Sequence, residues 1–115
     1  MPGKRLHQKK CVPCEGNEPP LTRQVAERLL AELDQGWQID DGDKSIGKEF
    51  QLQNFQEAIN FVNNVAKIAE EEGHHPDIHL HGWNKVKLTH STHAIQGLSE
   101  NDFILAAKIE KHAAP

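Results

Sequence analysis

Adjacent histidines at the end of a predicted helix are the side chains of this chain best suited to chemistry. His74 and His75 follow Gly73, and a third histidine, His93, comes after the next pair of predicted strands. Histidine is the side chain whose unperturbed pKa lies nearest neutrality, so it can give or take a proton at neutral pH. Three histidines at element boundaries therefore predict a site that moves protons.

The same positions also permit structural roles. His74 can cap the last carbonyls of its helix, whose negative end favours cations. Asp102 lies near the start of the last predicted helix, where it can act as a capping carboxylate or orient a histidine. We expect His7 and His112 to be solvated, and His90 to be partly buried with its hydrogen bonds satisfied.

His79 and His81 support a different hypothesis, a metal site. Residues two apart on a strand share one face, which suits two metal-binding imidazoles. His74 or His75 could supply a third ligand. Alternatively, both strand histidines lie on a solvated outer face of the sheet, covered by Trp83.

The two cysteines of the chain, Cys11 and Cys14, occur in the sequence Cys-Val-Pro-Cys. This spacing suits a redox dithiol or half of a zinc site. A redox pair normally opens a helix after a strand, whereas this pair lies in a segment rich in Pro and Gly. The pattern favours two reduced thiols in an N-terminal arm that covers residues 1–20.

Composition narrows the class of protein. The 115 residues fit one domain, and a net charge of -4 argues against nucleic-acid binding by bulk electrostatics. No apolar run approaches the length of a membrane span, and no signal peptide is recognisable. We therefore expect a cytoplasmic protein.

Caps and stops define three predicted helices. Thr22 is the expected N-cap of the first helix, and Gly36 is its expected stop. Asn54 opens the long second helix, which ends at Gly73. Ser99 caps the third helix.

Alternating apolar residues predict four strands in two antiparallel hairpins. The strands are expected near residues 37–40, 46–52, 78–83 and 86–90, with a turn at 41–43 joining the first two. The element order is α-β-β-α-β-β-α. It indicates a single α+β domain, residues 21–115, with a largely antiparallel sheet covered on one face.

The second helix carries an apolar arc wider than one sheet face requires. One stripe is expected to face the core: Phe55, Ala58, Ile59, Val62, Ala66 and Ala69. A further group, Phe61, Val65 and Ile68, extends the arc and is expected to bury apolar surface against a partner. We therefore predict a homo-oligomer that uses this helix, an edge strand or both.

A more specific pattern lies in four stretches of the chain: Glu72-Gly73-His74-His75-Pro76-Asp77, Trp83-Asn84-Lys85-Val86, Ser91-Thr92-His93 and Gly97-Leu98-Ser99-Glu100-Asn101-Asp102. In their order and spacing they resemble the pterin-4a-carbinolamine dehydratase family. The similarity in element order covers about residues 21 to 112.

The resemblance implies a four-stranded antiparallel sheet with three helices packed on one face, and assembly into dimers or tetramers. It also implies dehydration of a 4a-hydroxytetrahydropterin, such as 4a-hydroxytetrahydrobiopterin, to quinonoid dihydropterin and water. No metal and no organic cofactor is expected. Such a reaction recycles the pterin of aromatic amino acid hydroxylation, so a pterin-dependent hydroxylase pathway is the expected partner system.

The resemblance also implies roles for individual residues. The family's active-site histidines and supporting aspartate map onto His74, His75, His93 and Asp102. We expect His74 and His93 to be the acid and base, His75 to position the pterin, and Asp102 to orient a histidine. The match adds three substrate-binding residues: Trp37, Ser91 and Thr92.

At one position the chain departs from the pattern. Gly73 stands where some members have an acidic residue, and we expect Glu70 or Asp77 to substitute. Two other functions stay open on the sequence: a histidine-ligated metalloenzyme, and a non-catalytic protein-binding module like the coactivator role of animal members.

Overall fold

A computed structural model describes residues 5–13, 16–40 and 42–114. Within these residues, three α-helices and four strands follow one another in the predicted order. They are α1 (Arg23–Leu30), β1 (Gln38–Asp40), β2 (Ser45–Gln51), α2 (Phe55–Glu72), β3 (Asp77–His81), β4 (Lys85–His90) and α3 (Glu100–His112). Short 3-10 turns at Leu6–Gln8 and His93–Ile95 complete the described elements.

The four strands form one antiparallel sheet in the order β1-β2-β4-β3. Ile46 and Leu88 point to the face that the helices cover and are fully buried. On the opposite face, Glu49 and His79 both pair with Lys87, and all three side chains are exposed. The large buried apolar side chains of the sheet lie on one face, which confirms the predicted α+β class, with the helices packed on one side of the sheet.

The first helix is shorter than predicted. Its N-cap is Thr22, whose side chain accepts a hydrogen bond from Val25 N, as expected. The α-helix ends at Leu30 instead of Gly36, because the backbone tightens there: Glu32 N bonds to Leu29 O and Leu33 N to Leu30 O, three residues back.

Both ends of α2 form as the sequence predicts. Asn54 Oδ1 accepts a 2.8 Å hydrogen bond from Glu57 N at the start of the helix. At its end, Gly73 adopts the left-handed conformation, with φ 66° and ψ 26°, and its N–H bonds to Ala69 O. This turn ends the helix and leads directly into His74.

The predicted assignment of the two apolar groups on α2 was partly wrong. Phe61 and Val65 are 2% and 0% exposed and belong to the core of one subunit. Phe55, expected in the core, is 53% exposed. The sheet lies under the side of the helix that includes Phe61, whose ring centroid is 4.8 Å from that of Phe50. Because both sides of the helix carry apolar residues, hydropathy alone did not distinguish them.

A tight turn joins β3 to β4 and corrects a second expectation. The strand ends at His81, so Trp83 lies in the turn and not on the strand face beside the histidines. The turn consists of Gly82, Trp83 and Asn84, since His81 pairs with Lys85, and Gly82 and Trp83 have φ values of 56° and 58°. Trp83 is 60% exposed and therefore gives the strand histidines no cover.

The N-terminal residues that the structure describes pack against the helices. Leu6 is 3% exposed in the core, and Lys108 Nζ of α3 donates a 3.1 Å hydrogen bond to His7 O. Partial burial, followed by the nearby charge of Glu72, raises the pKa of the Cys11 thiol to about 12. Cys14 and Asp41 lie outside the described residues, so half of the cysteine pair and the first residue of the predicted turn stay predictions.

No helix in the described parts of the chain is long and apolar enough to cross a membrane.

Candidate active site

A hydrogen bond between His74 and Asp102 joins the end of α2 to the start of α3. His74 Nε2 lies 2.7 Å from Asp102 Oδ1. Gly73 turns the chain out of α2 immediately before His74, and Asp102 is in the first turn of α3. The two helix ends thus bring together residues that are 28 positions apart in the sequence.

Asp102 is completely buried and surrounded by donors. Its Oδ2 accepts hydrogen bonds from Thr92 Oγ1 at 2.8 Å and from Ser99 N at 3.0 Å. Ser99 Oγ lies 2.7 Å from Thr92 Oγ1. Because the Thr92 hydroxyl donates its proton to Asp102, the Ser99 hydroxyl can donate to Thr92 Oγ1. Both carboxylate oxygens of Asp102 thus have hydrogen-bond partners, at the N-terminal end of α3.

His74 and His75 line a cleft of about 360 Å³ together with the loop that follows β4. Asp77 and His93 are also at its wall. His93 is exposed and begins the 3-10 turn, so its imidazole is open to solvent at the cleft. The structure therefore brings His74, His75 and His93 to one cavity.

A second cavity of about 430 Å³ shares part of this wall. Both cavities are lined by Asp77, Ser91, Thr92 and His93. Lys44, Ser45, Thr89, Gln96 and Gly97 complete the second cavity. A bound molecule can thus approach His93 from either cavity, and the second cavity offers polar groups to bind it.

The acidic residues expected to replace a missing carboxylate at Gly73 lie in different places. Asp77 lines both cavities, whereas Glu70 Oε2 pairs with His75 Nε2 on the exposed surface of α2. Glu70 can therefore orient His75. A Cβ placed on Gly73 would meet no atom within 4 Å, so the position is open space.

Trp37 is not at the cleft. It is 5% exposed, and its ring packs between Phe50 and His90, with centroid distances of 6.1 and 5.3 Å. The structure does not bring this expected pterin contact to either cavity, because Trp37 lies against the inner face of the sheet.

His90 differs from its expected state. The alternation of β4 places it on the inner face, where it is 0% exposed. Neither ring nitrogen has a hydrogen-bond partner among the described residues. Burial lowers the pKa of His90 to about 4, although the negative charge of Asp102 acts in the opposite direction. The expectation of satisfied hydrogen bonds was therefore wrong. Of the two histidines expected to be solvated, His112 is exposed, whereas His7 is half-buried.

The strand histidines do not converge on further ligands. His79 and His81 are exposed on the outer face with ring centroids 5.1 Å apart, and His81 Nε2 lies 2.7 Å from Glu49 Oε1. Within residues 5–13, 16–40 and 42–114, no group of three His, Cys, Asp or Glu side chains could hold a metal ion together.

Some residues at the cleft were not among the expected site residues. Val12 and Pro13 of the N-terminal segment line it, as does Asn101, the neighbour of Asp102. The segment has neither helical nor strand periodicity, so no sequence pattern indicates where it packs.

Comparison with known proteins identifies the family of the chain. Residues 19–112 match the family model described as Pterin 4 alpha carbinolamine dehydratase. The chain belongs to the pterin-4a-carbinolamine dehydratase family. The matched residues include the cleft histidines and Asp102, and exclude most of the N-terminal segment.

Individual relatives are similar over almost their whole length. A putative pterin-4-alpha-carbinolamine dehydratase of Nitrosomonas eutropha is 48% identical over 105 residues, which are 91% of this chain and 90% of the relative. One from Alkaliphilus metalliredigens is 44% identical over 106 residues, 92% of this chain and 94% of that protein.

A solved structure supports the same family. The crystal structure of a transcriptional coactivator/pterin dehydratase from Brucella melitensis superimposes with a TM-score of 0.75 at 34% identity. The match covers 83% of this chain and 99% of that one.

Proposed function

We propose that this protein dehydrates a pterin-4a-carbinolamine to quinonoid dihydropterin and water. One observation carries the proposal for the site: the buried Asp102, held by Thr92 and Ser99, hydrogen-bonds His74 at a cleft that His93 also lines. Family membership supplies the substrate class.

The reaction requires two proton transfers. A general acid protonates the 4a-hydroxyl so that the C4a–O bond breaks and water leaves. A general base removes the proton on N5, and the N–H electron pair forms the C4a=N5 double bond. One proton is given and one is taken, so the charge balances and two groups on the cleft suffice.

His74 and His93 are our candidates for these two groups. Because Asp102 accepts a hydrogen bond from His74 Nε2, the neutral imidazole keeps its proton on Nε2 and leaves Nδ1 as the site of proton exchange. His93 is exposed on the same cleft, on a loop that Thr92 anchors to the Asp102 network.

The other predicted site residues have supporting roles in this proposal. His75, oriented by Glu70, and Asp77 would hydrogen-bond the polar edge of the pterin. Ser91 lines both cavities and would do the same. The Thr92 hydroxyl is used by Asp102 and Ser99, so it would act by positioning Asp102.

Activity measurements test the proposal. The 4a-carbinolamine would be generated in the assay, and its dehydration followed by absorbance with and without the protein. We expect acceleration by the wild type and a loss of about 10² or more in rate for His74→Ala and for His93→Ala. His79→Ala, which removes an exposed histidine on the opposite face of the sheet, is the matched control. Absence of acceleration by the wild-type protein would refute the proposed activity.

The biological setting is part of the proposal as well. Dehydration of the carbinolamine would return the pterin to aromatic amino acid hydroxylation, and the expected cytoplasmic location stays a prediction. We also propose a homo-oligomer, because β3 is an edge strand with Ile78 38% exposed, and Phe55 is exposed on α2. Light scattering over a dilution series would measure the mass, and a monomer at micromolar concentration would contradict assembly.

A further inference from the structure

The segment of residues 9–13 is fixed to the helix that carries Asp102. Val12 N donates a 3.0 Å hydrogen bond to Asn101 Oδ1, and Asn101 Nδ2 donates a 2.7 Å hydrogen bond back to Val12 O. Asn101 is 5% exposed and directly precedes Asp102. Paired hydrogen bonds to one side chain hold the Val12 backbone at a set distance from the Asp102 network.

The same segment is also tied to the helix that leads into His74. Cys11 N donates a 2.9 Å hydrogen bond to Oε1 of Glu72, the last residue of α2. The other oxygen of Glu72, Oε2, lies 3.6 Å from Lys108 Nζ of α3. Cys11 Sγ lies 3.6 Å from Asn101 O. Residues 11 and 12 therefore bridge the two helix ends that position the His74–Asp102 pair.

Further along, the chain packs against the loop that carries His93. Gly16, with φ +88°, passes so close to the loop that an added Cβ would lie 3.3 Å from Ala94 O. Leu21 N donates a 2.8 Å hydrogen bond to Leu98 O. The segments on either side of residues 14 and 15 thus contact both sides of the candidate site.

Val12 has a backbone held by hydrogen bonds to Asn101 and an apolar side chain that is exposed. It is 64% exposed, the largest exposed fraction among the large apolar residues that the structure describes. Val12 and Pro13 line the cleft with His74, His75 and His93. Apart from Pro76 and Ala94, the other side chains at the cleft offer imidazole, carboxylate, hydroxyl and amide groups, which bind the polar edges of a heterocycle. A flat bicyclic ligand also needs an apolar surface for its ring face.

We propose that Val12 and Pro13 form the apolar wall against which the pterin ring packs, so that the N-terminal segment contributes to substrate binding. This inference rests on the proposed dehydratase function for the class of ligand. It assigns a binding role to residues outside the region that matches the family model, which begins at residue 19.

A binding measurement tests the wall separately from catalysis. The probe is 7,8-dihydropterin, which has no 4a-hydroxyl and cannot be dehydrated, and its Kd is measured by calorimetry. Val12→Ala removes two methyl groups from the wall, and partial burial of these groups gives an expected weakening of about fivefold, close to 1 kcal/mol. The melting temperature should not change, because the Val12 side chain is exposed in the free protein.

Two further variants sharpen the test. Trp83→Ala removes a similarly exposed apolar side chain, 60% exposed, from the β3–β4 turn and should leave the Kd unchanged. Asn101→Ala removes both hydrogen bonds to Val12. It should weaken binding at least as much as Val12→Ala and speed hydrogen exchange at the Val12 amide.

The outcomes separate the two proposals. If the wild type turns over the carbinolamine but Val12→Ala binds the probe as tightly as the wild type, the wall is refuted and the dehydratase stands. If the wild type binds the probe without any turnover, the dehydratase is refuted, and the Kd of Val12→Ala still decides on the wall. A wild-type protein that does not bind the probe overturns the wall.

Discussion

Replacing the buried His90 by leucine should change how stability depends on pH. The ring is 0% exposed, lies 5.3 Å from the Trp37 ring, and has no hydrogen-bond partner for either nitrogen among the described residues. Leucine has a similar volume and no polar atoms. His90→Leu should therefore be at least as stable as the wild type at pH 7, since an unpaired buried polar group costs about 1–3 kcal/mol.

The size of the pH effect follows from the pKa of His90. Burial lowers this pKa from 6.5 to about 4. The electrostatic interaction with Asp102 opposes this shift, and that with His74 adds to it. Between these two values the unfolded state binds a proton that the folded state does not. The free energy of unfolding of the wild type therefore falls as the pH drops from 6.5 to 4. One pKa unit corresponds to 1.36 kcal/mol, so the His90 contribution to this fall is about 3 kcal/mol.

Urea unfolding at several pH values between 4.5 and 7.5 would measure this contribution. The quantity of interest is the difference in unfolding free energy between His90→Leu and the wild type at each pH. Carboxylates contribute to the pH dependence of both proteins, so their contributions largely cancel in this difference. We expect the difference to grow by about 2–3 kcal/mol as the pH falls across this range. His79→Leu, at an exposed position on the outer face, is the matched control, and His90→Leu should show the larger pH dependence. A constant difference for His90→Leu would refute the buried neutral imidazole.

Three other predictions concern the residues around the site. Thr92→Val keeps the shape of the side chain but removes a donor to the buried Asp102; urea unfolding should show a loss of about 1–3 kcal/mol, and unchanged stability would contradict the hydrogen bond. Gly73→Ala, with open space around an added Cβ, should cost about 1 kcal/mol in urea unfolding because φ is 66°, and a stabilised variant would contradict that backbone conformation. Burial raises the pKa of Cys11 to about 12, so at pH 8 this thiol should be alkylated at least about a hundredfold more slowly in the native protein than in urea. Mass spectrometry of the peptide that contains Cys11 would measure both rates, and equal rates would contradict the burial.

Much of the fold could be predicted because local signals agreed with tertiary structure. Asn54, Gly73 and Ser99 end or begin helices where their side chains or backbone freedom predict. Alternation in β4 puts Val86 and Leu88 on one face of the strand, and both residues are buried. Such signals depend on neighbours in sequence, which makes them readable without a structure.

Two failures are local, the end of α1 and the turn that holds Trp83, and the others involve contacts between distant residues. Hydropathy could not choose between the two apolar sides of α2, so Phe61 was expected at a partner although it packs on Phe50. The burial of His90 depends on helices that cover the end of β4. The position of Val12 depends on hydrogen bonds to Asn101, 89 positions away.

The residues of the candidate site also divide into those that the sequence could indicate and those that it could not. The sequence indicated the histidine cluster and an orienting role for Asp102, and His74 and Asp102 lie within hydrogen-bond distance. It could not indicate that Trp37 lies away from the cleft or that the N-terminal segment lines it. Roles of the individual residues in catalysis stay predictions until rates are measured.

A double-mutant cycle on the carbinolamine dehydration rate tests the central proposal, that Asp102 acts through His74. We expect kcat to fall by about 10² for His74→Ala and by about 10-fold or more for Asp102→Asn, with the double variant no slower than His74→Ala alone. Melting curves of each variant would show whether it is folded at the assay temperature. If the two losses multiply in the folded double variant, Asp102 acts independently of His74. If His74→Ala retains the wild-type rate, the proposed proton transfer at His74 is wrong.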